Sequence, residues 1–260
     1  MSRVVVAALA GVVTLAFVVG GYSFHRHQVA EVREARLDEL RAIADLKVDQ
    51  IVGWREDLLN GIRSEAAVAI RPIVIRSVGS PDDPSWKNEV VAQLKQLVRI
   101  QTRGDLILAS PDGRVLAASN PEHQALGPQA LRALETAVGS GEGTIGELYR
   151  CPVEDSVHID LASPIVDDRA RTVAVLILRI DANERLFPLL QSWPLPSRSA
   201  ETLIVRRDGD AALLLNPLRL RTAPPLSVRF PLSDTEVPAV QAVLGQTGLF
   251  EGQDYGAAAK

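Results

Sequence analysis

Leu106-Ile-Leu-Ala-Ser-Pro-Asp-Gly-Arg-Val-Leu-Ala-Ala-Ser-Asn-Pro121 reads as strand, tight turn, strand. Pro111 fixes φ, Asp112 caps the turn with its side chain, and Gly113 supplies a positive φ. Further along, Leu203-Ile-Val-Arg-Arg-Asp-Gly-Asp-Ala-Ala-Leu-Leu-Leu-Asn-Pro217 repeats the pattern with one residue deleted before the turn. Asp112-Gly113 lies as far from Asn120-Pro121 as Asp208-Gly209 lies from Asn216-Pro217. Each copy is followed by a short apolar helix ending in glycine, Gln129 to Gly139 and Val237 to Gly245. Each then has a glycine-spaced strand ending in tyrosine, Gly143 to Tyr149 and Gly248 to Tyr255. Matches in this order predict two copies of one fold.

In the first copy the chain continues through Val157-His-Ile-Asp-Leu-Ala-Ser-Pro-Ile165, which alternates apolar Val157, Ile159 and Leu161 with His158, Asp160 and Ala162. Thr172 to Ile180 is then almost wholly apolar, as in a central strand buried on both faces. The expected unit is a five-stranded antiparallel sheet with a helix or two on one face. The second copy has no counterpart of the last two strands, which lie at the centre of such a sheet. A sheet lacking them leaves backbone groups unpaired and an edge open. The expectation is that this chain is the amino-terminal piece of a longer protein, whose continuation begins with those strands and leads to a second membrane helix.

Upstream, Val4 to Phe24 is uncharged and long enough for a helix to cross roughly 30 Å of hydrocarbon. The alternative is a cleaved signal peptide, but those have a shorter apolar stretch and a small-x-small exit, and the segment here ends Tyr22-Ser23-Phe24-His25-Arg26-His27. Arg26, Arg33 and Arg36 against Arg3 do not favour an inside amino terminus by charge; a three-residue head before a large domain does. From His25 to about Arg76 the sequence is charged and helical. Leu37, Ala44, Ile51 and Leu58 form one heptad row, Leu40 and Trp54 another, interrupted by Lys47 and Gly61. Two readings stay open: a long helix packed on its own domain, and a dimer seam continuing the Ala7-x-x-x-Gly11 pair of small residues. A second helix begins at Asp83-Pro84, a cap followed by a residue suited to the first turn, with Val90, Val91, Leu94, Leu97 and Val98 as its apolar stripe.

The 260 residues, 47% apolar, suit one or two compact domains, and a net charge of −4 gives no basic footprint for nucleic acid. Cys151 alone forms no internal disulfide and reads as a strand-end packing residue. Four histidines and one cysteine make no metal-ligand spacing, so neither metal nor cofactor is expected. No Gly-x-Ser-x-Gly elbow or phosphate loop occurs, so no catalytic residue is assigned. The two Asp-Gly pairs are hairpin turns, since a calcium loop needs alternating acidic ligands. Gly139 to Gly143 follows a helix and enters a strand, the reverse of a nucleotide loop.

One membrane helix, a long helix carrying Leu40…Ala44-Asp45-Leu46-Lys47…Gln50-Ile51…Trp54, and two tandem PAS-like sheets make this chain resemble the double Cache sensor domains of bacterial transmembrane signalling proteins. The resemblance runs from Val4 to Tyr255 and implies an α+β fold. Its parts are a head at residues 1–3, a membrane helix at 4–24 and a stalk helix at 25–76. A first, membrane-distal sensor domain follows at 83–186, then a linker at 187–200 and an incomplete second domain at 201–260. It implies an extracytoplasmic sensor at the bacterial inner membrane, a small-molecule ligand, a homodimer through stalk and membrane helices, and an output domain elsewhere. The alternative is a membrane-anchored periplasmic binding or assembly protein without cytoplasmic output. The candidate ligand residues are Tyr149, Arg150, His158, Asp160 and Asp181. If the polar face of the His158 strand looks into a cavity, His158 and Asp160 fix an amine or polar head group and an arginine clamps a carboxylate. Otherwise that face is a solvated sheet surface, and Arg179 and Asp181 close a strand end as a surface ion pair.

Overall fold

The structure, a computed structural model, describes residues 3–79, 85–100, 104–151, 155–194, 197, 200–250 and 252, with backbone alone for 3–10, 12–14, 78 and 79. The chain divides into two units, Met1–Val48 with Thr247–Phe250, and Asp49–Gln246 with Glu251–Lys260. Helix α1 (Arg3–Ser64) has no proline to interrupt it. In the first unit it exposes Leu15, Phe17, Val18, Val19, Tyr22 and Phe24 and buries Ile43 and Lys47. Lys47, which breaks the heptad in the sequence, is therefore not on the solvent side. Among the described residues no helix is long and apolar enough to cross a membrane; the side chains of several residues of the 4–24 segment lie outside those described.

In the second unit, Ile51, Trp54 and Leu58 pack half-buried on the main core beside buried Leu59 and Ile62. A π-helical turn (Glu65–Ile70) follows, then α2 (Arg71–Gly79). Pro72 explains the turn: in a continuous α-helix its ring would meet the carbonyl four residues back, and a π turn relieves that clash. Helix α3 (Ser85–Ile100) buries Val90, Leu94 and Leu97; the predicted Asp83-Pro84 start lies outside the described residues.

Strands β1 (Asp105–Ala109), β2 (Val115–Ala118), β3 (Thr144–Ile145), β4 (Tyr149–Arg150), β5 (Val157–Val166) and β6 (Thr172–Asp181) form an antiparallel sheet in the order β2-β1-β6-β5-β3, with β4 also on β5. The expected Gly143–Tyr149 strand is broken in two, which makes six strands instead of five. Gly146 sits at the break and donates its N–H to the Asp160 carbonyl at 2.7 Å. β5 and β6 are central, as their apolar runs require. At the first hairpin Gly113 adopts φ +87°.

Helices cover both faces of this sheet, not one. Leu106, Leu108, Ile159, Leu161, Leu176 and Leu178 face α1 and α3, while Ile107, Ala109, Ala162, Val175 and Ile177 face α4 (Pro128–Ser140) with its Ala133, Leu134 and Ala137. Period-2 alternation in apolar strands thus serves two cores at once. Gly141, at φ +72°, ends α4 by donating to the Ala137 carbonyl, two residues beyond the predicted stop.

The predicted linker opens with helix α5 (Leu186–Gln191), which buries Leu186, Phe187 and Leu190 in the main core. The second sheet comprises β7 (Val205–Asp208), β8 (Ala211–Leu214) and β9 (Arg229–Pro231), in that order. β9, which sequence reading did not foresee, pairs with β8 ahead of helix α6 (Pro238–Val243), so the second copy departs from the first. Gly248 to Phe250 form no strand, and Tyr255 lies outside the described residues. Leu213 and Leu215 join the core of the first sheet, whereas Leu214, Phe230 and Val240 build a separate small core.

Candidate functional site

The face of the sheet under α4 is apolar along most of its length and turns polar at one end. There β1, β6 and β5 place Asp105, Arg179 and Asp160 in one row, with Asp105 opposite Arg179 and Arg179 opposite Asp160. Strand parity explains it, since Arg179 shares the face of Ile177, and Asp160 that of Ala162.

Arg179 and Asp160 are side by side and buried, with side chains 9% and 1% exposed. Nε donates to Oδ1 at 2.9 Å and Nη2 to Oδ2 at 3.2 Å, a two-pronged pair. The Tyr149 hydroxyl donates to Asp160 Oδ2 at 2.7 Å, and the guanidinium lies 5.9 Å from the Tyr149 ring centre. Burial, then the Asp160 charge, pushes the Tyr149 phenol well above its ordinary range. Burial works against the Arg179 charge, but the Asp160 hydrogen bonds and charge outweigh it and hold the guanidinium protonated. Beside this network, His123 Nε2 meets Asp105 Oδ2 at 2.7 Å, and Asn120 donates to the same oxygen at 3.2 Å.

A cavity of about 260 Å³ opens on this cluster, lined by Tyr149 and Arg179 from the sheet, by Cys151 just after β4, and by Glu122, His123 and Ala125 to Gln129 in the loop before α4 and its first turn. Its wall mixes apolar Ala125, Leu126 and Cys151 with the arginine and His123. A cation held by a carboxylate, two carboxylates nearby and an apolar remainder suit a small zwitterion or a small polar molecule with an apolar tail.

Of the five sequence candidates, Tyr149 and Asp160 meet in this network. His158 is buried, at 3% exposure, and packs edge-on to Tyr149 with ring centres 6.0 Å apart. The solvated-face alternative for His158 and Asp160 is thereby corrected: the loop before α4 covers that end of the sheet. Arg150 points outward to Asp155 Oδ1 at 2.8 Å and the Pro225 carbonyl at 2.9 Å. Asp181 sits at the strand end, where burial would raise its carboxyl but hydrogen bonds from Ser156 and Asn183 hold it low. The surface ion pair expected between Arg179 and Asp181 does not form: the two share a face of β6, but Arg179 turns to Asp160 on β5, and Asp181 is taken by Ser156 and Asn183. Arg179, His123 and Asp105 were not among the candidates. A lone charge inside the apolar run Thr172 to Ile180 was the available signal, since a buried cation requires a partner.

A long helix and α3 on one face, α4 on the other and this strand order make the PAS-like α+β fold, followed here by a smaller second sheet. No protein-family model matches the chain, and no curated protein does either. Among solved structures, the fold is similar to the ligand-binding domain of the Pseudomonas fluorescens chemoreceptor CtaA in complex with L-isoleucine, at 15% identity and TM-score 0.53, covering 80% of this chain and 77% of that one. It is similar to the ligand-binding domain of the Campylobacter jejuni chemoreceptor Tlp3 in complex with 4-methylisoleucine, at 14% identity and TM-score 0.50, covering 70% and 85%. The V. cholerae histidine kinase DctB sensor domain also aligns, at 13% identity and TM-score 0.47, over 72% and 88%.

Proposed function

We propose that this chain is the extracytoplasmic input region of a membrane-bound bacterial signalling protein and binds a small organic ligand in the cavity beside Tyr149 and Arg179. The observation that carries this reading is the buried Tyr149–Asp160–Arg179 network opening on a cavity of about 260 Å³ at the start of α4. The residues in play are binding groups, with no nucleophile and base paired for chemistry. The ligand class we favour is a small amino acid: its carboxylate meets Arg179 and the N–H groups at the start of α4, and an aliphatic tail meets Ala125 and Leu126. The CtaA and Tlp3 domains with this fold hold L-isoleucine and 4-methylisoleucine.

The rest of the account follows the same reading. Residues 4–24 anchor the chain in the inner membrane, with the exposed apolar side chains from Leu15 to Phe24 against lipid. The stalk at 25–76 carries the ligand signal to an output domain not contained in this sequence. A homodimer forms through the exposed Leu40 and Ala44 of the stalk and the membrane helices. Thermal melting of the full chain against single L-amino acids tests the reading. A binder present well above its Kd raises the melting temperature by linkage. If no amino acid shifts it, that ligand class is wrong.

A further inference from the structure

Arg63 and Arg71 stand on the two sides of the π-helical turn Glu65–Ile70. Eight residues apart on an uninterrupted α-helix, they would point roughly 80° away from each other. A turn of roughly 4.4 residues instead of 3.6 brings that angle down to about 30°. Both side chains consequently line one cleft of about 320 Å³, between the long helix, the Gly141–Gly143 loop and the end of β5. Ala66 and Ala67 leave its floor open.

Arg63 is loosely held in this cleft. Its Nη2 is 3.4 Å from the Gly143 carbonyl and 3.9 Å from Glu142 Oε2, a carboxylate whose side chain is 79% exposed. Arg71 donates to the Val166 carbonyl at 2.9 Å and to Asp168 Oδ1 at 2.5 Å, the Asp168 side chain being 85% exposed. Ser163 lies on the helix-facing side of β5, lines the cleft and is 3% exposed. Two guanidinium groups and the Ser163 hydroxyl form a donor set with two positive charges, and the opposing carboxylates are solvated enough to swing away.

We propose that this cleft is a second ligand site, separate from the Tyr149–Arg179 cavity, which takes a small dianion through its carboxylate or phosphate oxygens. An occupant bridging Arg63 and Arg71 fixes the angle between them and so holds the long helix in its π-turned form. A ligand in the first cavity touches the sheet, whereas this one touches the stalk directly.

The test is titration calorimetry of the full chain at constant ionic strength, with succinate and with inorganic phosphate as separate probes. At least one probe binds saturably, and which of them does so separates a dicarboxylate from a phosphate ligand. Binding weakens at least tenfold in Arg63→Gln. It also weakens in Gly143→Ala, where the added Cβ would lie 2.9 Å from Arg63 Nε and displace that side chain while keeping its charge. It stays within twofold of the parent in Ala125→Trp, which fills the other cavity. Saturation by neither probe, binding that survives Arg63→Gln, or loss in Ala125→Trp would each overturn the proposal.

Discussion

Arg179 grips Asp160 across adjacent strands with two nitrogens on two oxygens, at 2.9 and 3.2 Å, and nothing of the pair reaches bulk water except a sliver of the guanidinium. Removing one partner leaves the other charge buried and uncompensated. Asp160→Ala should cost about 3–5 kcal/mol in urea unfolding. Tyr149→Phe, which removes only the hydrogen bond to Asp160, should cost about 0.5–1.5 kcal/mol. The double variant Asp160→Leu with Arg179→Met should regain most of the first loss. Asp160→Ala within ~1 kcal/mol of the parent would mean that the pair is solvated.

Gly104 precedes β1 at a close approach to the strand that carries Arg179. A Cβ there would collide with the Arg179 carbonyl oxygen and lie 3.2 Å from Leu178 Cδ1. The obstacle is backbone, so β1 and β6 have to separate. Gly104→Ala should destabilise by about 1–3 kcal/mol and weaken ligand binding as well. Unchanged stability in calorimetric melting would refute this close contact.

Glu65 stands in the π turn at 6% exposure, and its Oε2 has no hydrogen-bond partner among the described residues. Burial raises its carboxyl above the usual range. With the folded value above the unfolded one, the folded state holds its proton longer. Stability from this group is complete below the unfolded value, roughly pH 4.3, and is lost as pH rises through the folded value. Glu65→Met should therefore be more stable than the parent at pH 7, by about 1–3 kcal/mol, with the advantage shrinking toward pH 4. Denaturation series at several pH values check this. A constant difference across the range would show that the titration plays no part.

The second sheet is tied to the first by apolar packing more than by charge. Arg206 Nη1 reaches Glu147 Oε2 at 2.8 Å, but the glutamate side chain is 67% exposed. Glu147→Ala should change stability by less than ~1 kcal/mol. Leu213, at 3% exposure, belongs to the main core, and Leu213→Ala should cost about 2–5 kcal/mol. The reverse ranking in parallel urea titrations would mean that the sheets are joined by ion pairs.

Much of the first sheet was legible because its signals are local. The Asp112-Gly113 turn, the alternation from Val157 to Ile165 and the apolar run from Thr172 needed only period and turn chemistry. The break between Ile145 and Tyr149 was not legible, since it depends on Gly146 meeting the Asp160 carbonyl on another strand. Nor was the second helical layer: Ile107 and Leu108 are equally apolar, and only the fold assigns them to different cores. The same limit governs the site. Asp160 is found from strand parity and Tyr149 from its place at a strand end, but Arg179 reads as a surface charge because its partner lies nineteen residues earlier on the neighbouring strand. The hairpin of the second copy was visible in Leu203 to Pro217, whereas β9 has no counterpart in the first copy from which to be inferred.

The most direct measurement is titration calorimetry of L-isoleucine into the full chain and into Ala125→Trp. Ala125 is exposed at the cavity rim, so tryptophan there fills the space and leaves the buried network intact. The account predicts saturable binding by the parent and at least tenfold weaker binding by the variant. Binding equally strong in both would contradict the placement of the ligand beside Tyr149 and Arg179, and no binding by either would contradict L-isoleucine as the ligand.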